Sequence, residues 1–240
     1  MSILAEFVDK IISLKDPTVI DYAGGKWSNQ HFERIVPHVS RPDTYGVSGL
    51  DSIVKLIRKE IDDVGGFLFV RVEDPKTVSV STTFTKEEMS RYTVYVAHAD
   101  VPGFRQGFRE REKAIIELRS LFVPGAEVQY LLDLLSRMSM EKGATTTDNG
   151  VTQEVEVKTG VALKKKTEIR PRVALTPFRT FLEVEQPESE YLLRVNEDGE
   201  IGLFEADGGV WKLEAKRNVK AYMESALIDL VEGGKVVVMM

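Results

Sequence analysis

From Lys158 to Asp207 the charge of this chain is sorted by sign, which limits how that stretch can be laid down in space. Between positions 158 and 179 seven basic residues (Lys158, Lys164, Lys165, Lys166, Arg170, Arg172, Arg179) stand against one acid, Glu168. Between positions 183 and 207 nine acids (Glu183, Glu185, Glu188, Glu190, Glu197, Asp198, Glu200, Glu205, Asp207) stand against one base, Arg194. Like charges placed side by side repel, so each run needs the other or an outside partner. Antiparallel strands of one sheet would pair the runs internally, at about 0.2–1 kcal/mol per cross-strand pair. Alternatively, the basic face of one copy meets the acidic face of the next, which favours a homo-oligomer. In a third arrangement the basic run forms a groove for a phosphate-bearing ligand.

The hydrophobic pattern around these runs is that of strands. Val151, Val155 and Val157 alternate with Thr152, Glu154, Glu156 and Lys158, giving one dry and one wet face. Further strands are expected over 168–174, 178–185, 191–195 and 200–205, the last two joined by Asn196-Glu197-Asp198-Gly199. Trp211 and Leu213 lead into a helix carrying Val219, Tyr222, Met223, Ala226, Leu227 and Leu230, which Gly233-Gly234 stops. The tail that follows ends in Val236, Val237, Val238, Met239 and Met240, so a sheet or a partner subunit is expected to cover it.

The first half is mixed. Ile3, Leu4, Phe7, Val8, Ile11 and Ile12 recur at helical spacing up to Asp16-Pro17, and their stripe is expected to fill the core or else to dock on a neighbour. A small hairpin turns at Ala23-Gly24-Gly25, and a proline-spaced connector runs from Pro37 to Pro42. Ser48 and Asp51 resemble a capping box opening a helix through Leu50, Ile53, Val54, Ile57 and Ile61, closed by Gly65-Gly66. Strands are expected over 67–72, 77–82 and 92–98, with a helical turn in 85–91. Between Phe108 and Met140 the period becomes helical, as two helices joined at 123–126. The polar link from Gly143 to Gly150 marks the expected division: a mixed α/β half with a helical hairpin over 1–142, and a β-rich half with a closing helix over 143–240. The fold class is α+β.

Composition excludes several functions. A net charge of −6 argues against a surface basic throughout for duplex DNA. The absence of cysteine excludes disulfides, thiol catalysis, thiolate zinc sites and iron–sulfur clusters. Glu6, Asp9 and Lys10 interrupt the N-terminal apolar pattern, so no signal peptide is expected. No apolar run approaches the roughly 20 residues of a membrane helix, so no membrane partner is expected.

For chemistry, the basic segment offers a candidate ligand set of Lys164, Lys165, Lys166, Arg170, Arg172 and Arg179 with Trp211. Arg170 and Arg172 stand two apart on an expected strand, so both guanidinium forks leave one face toward phosphate. Phe178, Phe181 and Trp211 offer rings for base stacking, although aromatic residues at such spacings more often fill cores. Arg105, Arg109, Arg111 and Lys113 open a helix among Glu110 and Glu112, which reads as a solvated mixed-charge face. His31, His38 and His98 show no metal-ligand spacing, and no phosphate loop, dinucleotide fingerprint or nucleophile elbow is present. Glu156-Val157-Lys158 and Glu214-Ala215-Lys216 match half of a magnesium-dependent nuclease core, with Asp148 and Asp207 as possible ligands. Such triplets are common by chance in a chain this charged. No catalytic residue is assigned, and no cofactor or metal is implied.

The hairpin and linker VIDYAGGKWSNQHFERIVP, the helix pair FREREKAIIELRSLFVPGAEVQYLLDLL, the polar TTTDNGVTQEVEV stretch and the closing EYLLRVNEDGEIGLFEADGGVWKLEAKRNVKAYMESAL together resemble, in their order, the uncharacterised YfdQ-like proteins of phages and prophages. That resemblance covers most of the chain, and it rests on the succession of elements, not on a motif. It implies a bacteriophage accessory product in the bacterial host cytoplasm and carries no catalytic residues with it. The expectation is therefore a non-catalytic, homo-oligomeric binding protein with an accessory or counter-defence role. Its partners would be its own copies and a host defence protein. The alternatives are binding of a nucleotide or single-stranded nucleic acid by the basic segment, and a magnesium-dependent nuclease.

Overall fold

The computed structural model describes residues 3–13, 18–22, 25–28, 43–84, 90–138, 147–148, 153–159 and 163–240. Packing separates Met1–Arg41 from Pro42–Met240. In the first unit, helix α1 (Ile3–Ser13) is followed by strands β1 (Val19–Tyr22) and β2 (Gly25–Ser28). The two strands pair antiparallel, with Val19 opposite Ser28 and Tyr22 opposite Gly25. The connector over 37–42 lies outside the described residues.

The second unit runs β3 (Tyr45–Val47), α2 (Leu50–Glu60), β4 (Leu68–Asp74), β5 (Thr77–Thr82), β6 (Thr93–His98), β7 (Gly107–Arg109), α3 (Arg111–Ser120) and α4 (Ala126–Arg137). It continues with β8 (Thr147–Asp148), β9 (Gln153–Thr159), β10 (Leu163–Ile169), β11 (Arg172–Leu175), β12 (Ser189–Val195), β13 (Ile201–Glu205), α5 (Trp211–Ala226), α6 (Ile228–Glu232) and β14 (Val236–Met239). The architecture is α+β, as expected.

A five-stranded sheet has the order β14-β4-β5-β6-β3, and a four-stranded sheet the order β11-β12-β13-β7. Strands β8, β9 and β10 form a third, antiparallel sheet. In the five-stranded sheet the central strands are antiparallel, while the outer strands β14 and β3 run parallel to β4 and β6. Alternate positions Leu68, Val70, Val72, Val78 and Val80 turn to a core completed by Leu50, Ile53 and Ile57 of α2 and Val219, Met223 and Leu227 of α5. The second core gathers Leu118 of α3, Leu131 and Leu135 of α4, and Val173, Tyr191, Leu193 and Leu203 of the four-stranded sheet. Each core draws on both sides of the division expected at residues 142 and 143.

Four local differences from expectation have physical causes. The strand expected over 168–174 breaks at Arg170-Pro171, because proline has no amide proton for the ladder. Residues 178–185 form no strand; the buried Gln186 side chain takes the amides of Arg179 and Thr180 and gives its own to the Phe181 carbonyl, satisfying the backbone without a ladder. Helix α5 does not close the four-stranded sheet. It packs on β4 and β14, and α3 and α4 cover the other sheet instead. The apolar tail is the strand β14, with Val236 and Val238 buried. Of the helical turn expected in 85–91, residues 85–89 lie outside the described residues.

Candidate functional site

Among the described side chains of the basic segment, Arg170, Arg172 and Arg179 each turn to a different carboxylate. In β10, Lys164, Lys165 and Lys166 stand opposite Lys158, Val157 and Glu156 of β9. Arg170 leaves the chain after β10, where its guanidinium lies 4.4 Å from the centre of the Tyr130 ring and donates to Glu127 Oε1 at 2.8 Å. Arg172, beyond the proline break, donates to both carboxylate oxygens of Glu190 at 3.1 and 3.2 Å. The two forks therefore start from different elements, and each ends on a carboxylate of its own chain.

Arg179 and Trp211, by contrast, do meet. The residues after β11 carry Arg179 under the N-terminal turn of α5, and its guanidinium lies 4.0 Å from the centre of the Trp211 ring. Only 6 % of Arg179 is exposed. A charge so far from water must be paired, and it donates to Glu205 Oε1 at 2.9 Å, to the Pro187 carbonyl at 2.9 Å and to the Ser189 hydroxyl. Ser189 in turn donates to Asp207, whose other oxygen accepts from the Gly209 amide at 3.0 Å. Burial pulls the Arg179 guanidinium below its ordinary value, against the opposing pull of Tyr191, Glu205, Asp207 and Glu214. For Asp207 burial acts upward, but the Ser189 hydroxyl, the Gly209 amide and Arg179 outweigh it and hold the carboxyl below its usual range. Burial also pushes the Tyr191 phenol up. Nε of Arg179 and Nε1 of Trp211 are buried without hydrogen-bond partners among the described residues. The cluster ties β12, β13, α5 and the residues after β11 together, and its polar groups point at one another.

Five of the nine acids of the acidic run, Glu183, Glu190, Glu200, Glu205 and Asp207, accept hydrogen bonds within the chain on their carboxylates. Glu183 accepts from the Leu50 amide at 2.7 Å and so caps α2, whose N-cap is Gly49 with no side-chain cap of its own; the expected Ser48–Asp51 box does not form. Glu190 and Glu205 hold Arg172 and Arg179, and Glu200 accepts from Asn196.

Glu214 and Lys216 sit two apart on α5, where they leave the helix in different directions. Glu156 and Lys158 lie in β9, opposite Lys166 and Lys164. Among the described residues no group of three His, Asp or Glu side chains could hold a metal ion.

Two exposed features among the described residues stand apart from these pairings. One is the stripe of α1, where Leu4, Phe7, Val8 and Ile11 are 46–74 % exposed. The other is an open groove of about 420 Å³ between β3 and α2, lined by Tyr45, Val47, Ser52, Lys55, Leu56, Lys59 and Glu60. Sequence reasoning saw α1 but assigned its stripe first to the core. It missed the groove, for which Ser52, Lys55, Leu56 and Lys59 at helical spacing were the available signal.

No protein-family model matches this sequence, and no curated protein or solved structure matches it either. Among the described residues no helix is long and apolar enough to cross a membrane.

Proposed function

We propose that this chain is a non-catalytic binding protein that assembles into a homo-oligomer through α1. The observation that carries this reading is the exposed stripe of Leu4, Phe7, Val8 and Ile11 at positions i, i+3, i+4 and i+7 of one helix. An isolated helix of 11 residues is marginal in water and draws its stability from packing of its apolar face. A second copy offers the same stripe, and a two-fold axis lets one self-complementary surface cover itself. Arg170, Arg172 and Arg179 of the basic run are paired within the chain, so these three lend the assembly no support. The resemblance to the YfdQ-like proteins adds the setting: a phage or prophage accessory product in the host cytoplasm, with counter-defence by binding a host protein as its role.

Light scattering at micromolar concentration and physiological salt tests the assembly. The expected mass is a multiple of the 27.0 kDa chain, reduced to one chain by Leu4→Glu combined with Phe7→Glu. A monomer for the unsubstituted protein overturns the proposal.

A further inference from the structure

The groove between β3 and α2 carries an inference independent of α1. Strand β3 closes the five-stranded sheet at one end: its inner edge pairs with β6, and no described strand takes its outer edge. A free strand edge is a row of unpaired amides and carbonyls, a ready template for another strand. Beside it, α2 forms a fixed wall. Its far flank is tied down where Tyr222 donates to Asp51 and Arg58 grips Asp229 at 2.7 and 3.0 Å.

The near flank of α2 turns Ser52, Lys55, Leu56 and Lys59 toward the groove. Leu56 and Val47 are partly buried and form an apolar floor, while Tyr45 is 61 % exposed and stands as a bare aromatic wall. Lys55 and Lys59 are exposed, and neither is in an ion pair among the described residues. Glu60, the acid among the lining residues, already accepts from the Tyr95 hydroxyl at 2.5 Å.

We infer that this groove binds an extended acidic peptide segment of another protein, which adds to the free edge of β3 and sets alternate carboxylates against Lys55 and Lys59. The spacing supports the match: side chains at i and i+2 of a strand lie about 7 Å apart, and residues i and i+4 of a helix about 6 Å apart. An apolar residue two positions further along the strand would rest on Tyr45, Val47 and Leu56. The backbone then supplies affinity, and the alternating side chains supply selection. Single-stranded nucleic acid also suits a ring beside two lysines, but it makes no use of a strand edge.

The test is selection of a displayed library of random eight-residue peptides on the immobilised full-length protein, followed by anisotropy titration of the enriched sequences. Enrichment of Asp or Glu at i and i+2 is expected, with at least a tenfold loss of affinity for the Lys55→Glu, Lys59→Glu protein and a smaller loss for Tyr45→Ala. These side chains are exposed, and an unchanged circular dichroism spectrum shows that the variants fold. Remaking an enriched peptide with N-methylated alternate amides, on the register that faces β3, is expected to cost at least tenfold on the unaltered protein. The inference is overturned if no acidic alternation is enriched, if the double charge reversal binds equally well, if N-methylation is tolerated in both registers, or if oligo(dT) displaces the peptides and binds more tightly.

Discussion

Of the places where cations and an aromatic ring come together among the described residues, two are opposites. At one, Arg179 lies flat on Trp211, sealed from water and surrounded by Glu205, Ser189, Asp207 and the Pro187 carbonyl. At the other, Lys55 and Lys59 stand in water beside an exposed Tyr45 with no carboxylate to hold them. The ingredients are alike; burial and pairing differ. A charge inside the protein loses its hydration and must recover it from its own chain, which leaves nothing to offer a ligand. A charge at the rim keeps its water and exchanges it when a partner arrives. Of these two places the groove is therefore the one we propose for binding, and the Arg179 cluster acts as a fastening.

Substitutions sharpen that contrast. Arg179→Ala strands Glu205 beside a cavity and removes the ties to Ser189 and Pro187, so the largest loss is expected here, about 3–5 kcal/mol, in a urea unfolding midpoint. A loss below about 1 kcal/mol would make the buried cluster energetically no different from a surface pair. Glu183→Ala removes the cap from α2 and is expected to cost about 1 kcal/mol. Gly49→Ala should cost a similar amount by the same route, because a Cβ there would stand 2.6 Å from Glu183 Oε1 and push the cap away. Combining the two is expected to cost little more than either alone, since both break one interaction.

Acidification probes the fastening from its anionic side. Asp207 is held below its ordinary value of 3.8, so its contribution is fully present above that value and is lost as pH falls through the folded one. Unfolding midpoints measured from pH 5 downward are expected to drop, and Asp207→Asn is expected to start lower and fall less. An identical slope for the two proteins would remove Asp207 from the account. The smallest effect belongs to the groove: Lys55→Glu with Lys59→Glu is expected to shift stability by less than about 0.5 kcal/mol. A shift as large as that of Arg179→Ala would show the lysines to be structural.

Most elements were legible because their signals are local. The 3.6-residue period of α2 and α4, the alternation in β9, the hairpin turn at Asn196–Gly199 and the double glycine after α2 each act within a few residues. Asn196 Oδ1 takes the amides of Asp198 and Glu200, and Gly199 supplies a φ of 76°, all readable from five adjacent residues. The failures were equally consistent in kind. Residues 178–185 have the composition of a strand, but the amides of Arg179 and Thr180 are taken by Gln186, and a composition argument cannot weigh a single competing side chain. Of the proposed ligand set, Arg179 and Trp211 meet, and Arg179 is buried where they do.

What the amino-acid order determined by itself is the α+β class, the run of helices and strands, and the need for the two charge runs to be neutralised. Only the tertiary structure decided where that neutralisation happens, that α5 serves the five-stranded sheet, and that Glu183 caps a helix 133 residues away. Periodicity is a property of neighbours along the chain, so sequence carries it. Burial, pairing and the exposure of Tyr45, Lys55 and Lys59 depend on which distant segments pack on them, and that is settled only when the chain closes on itself.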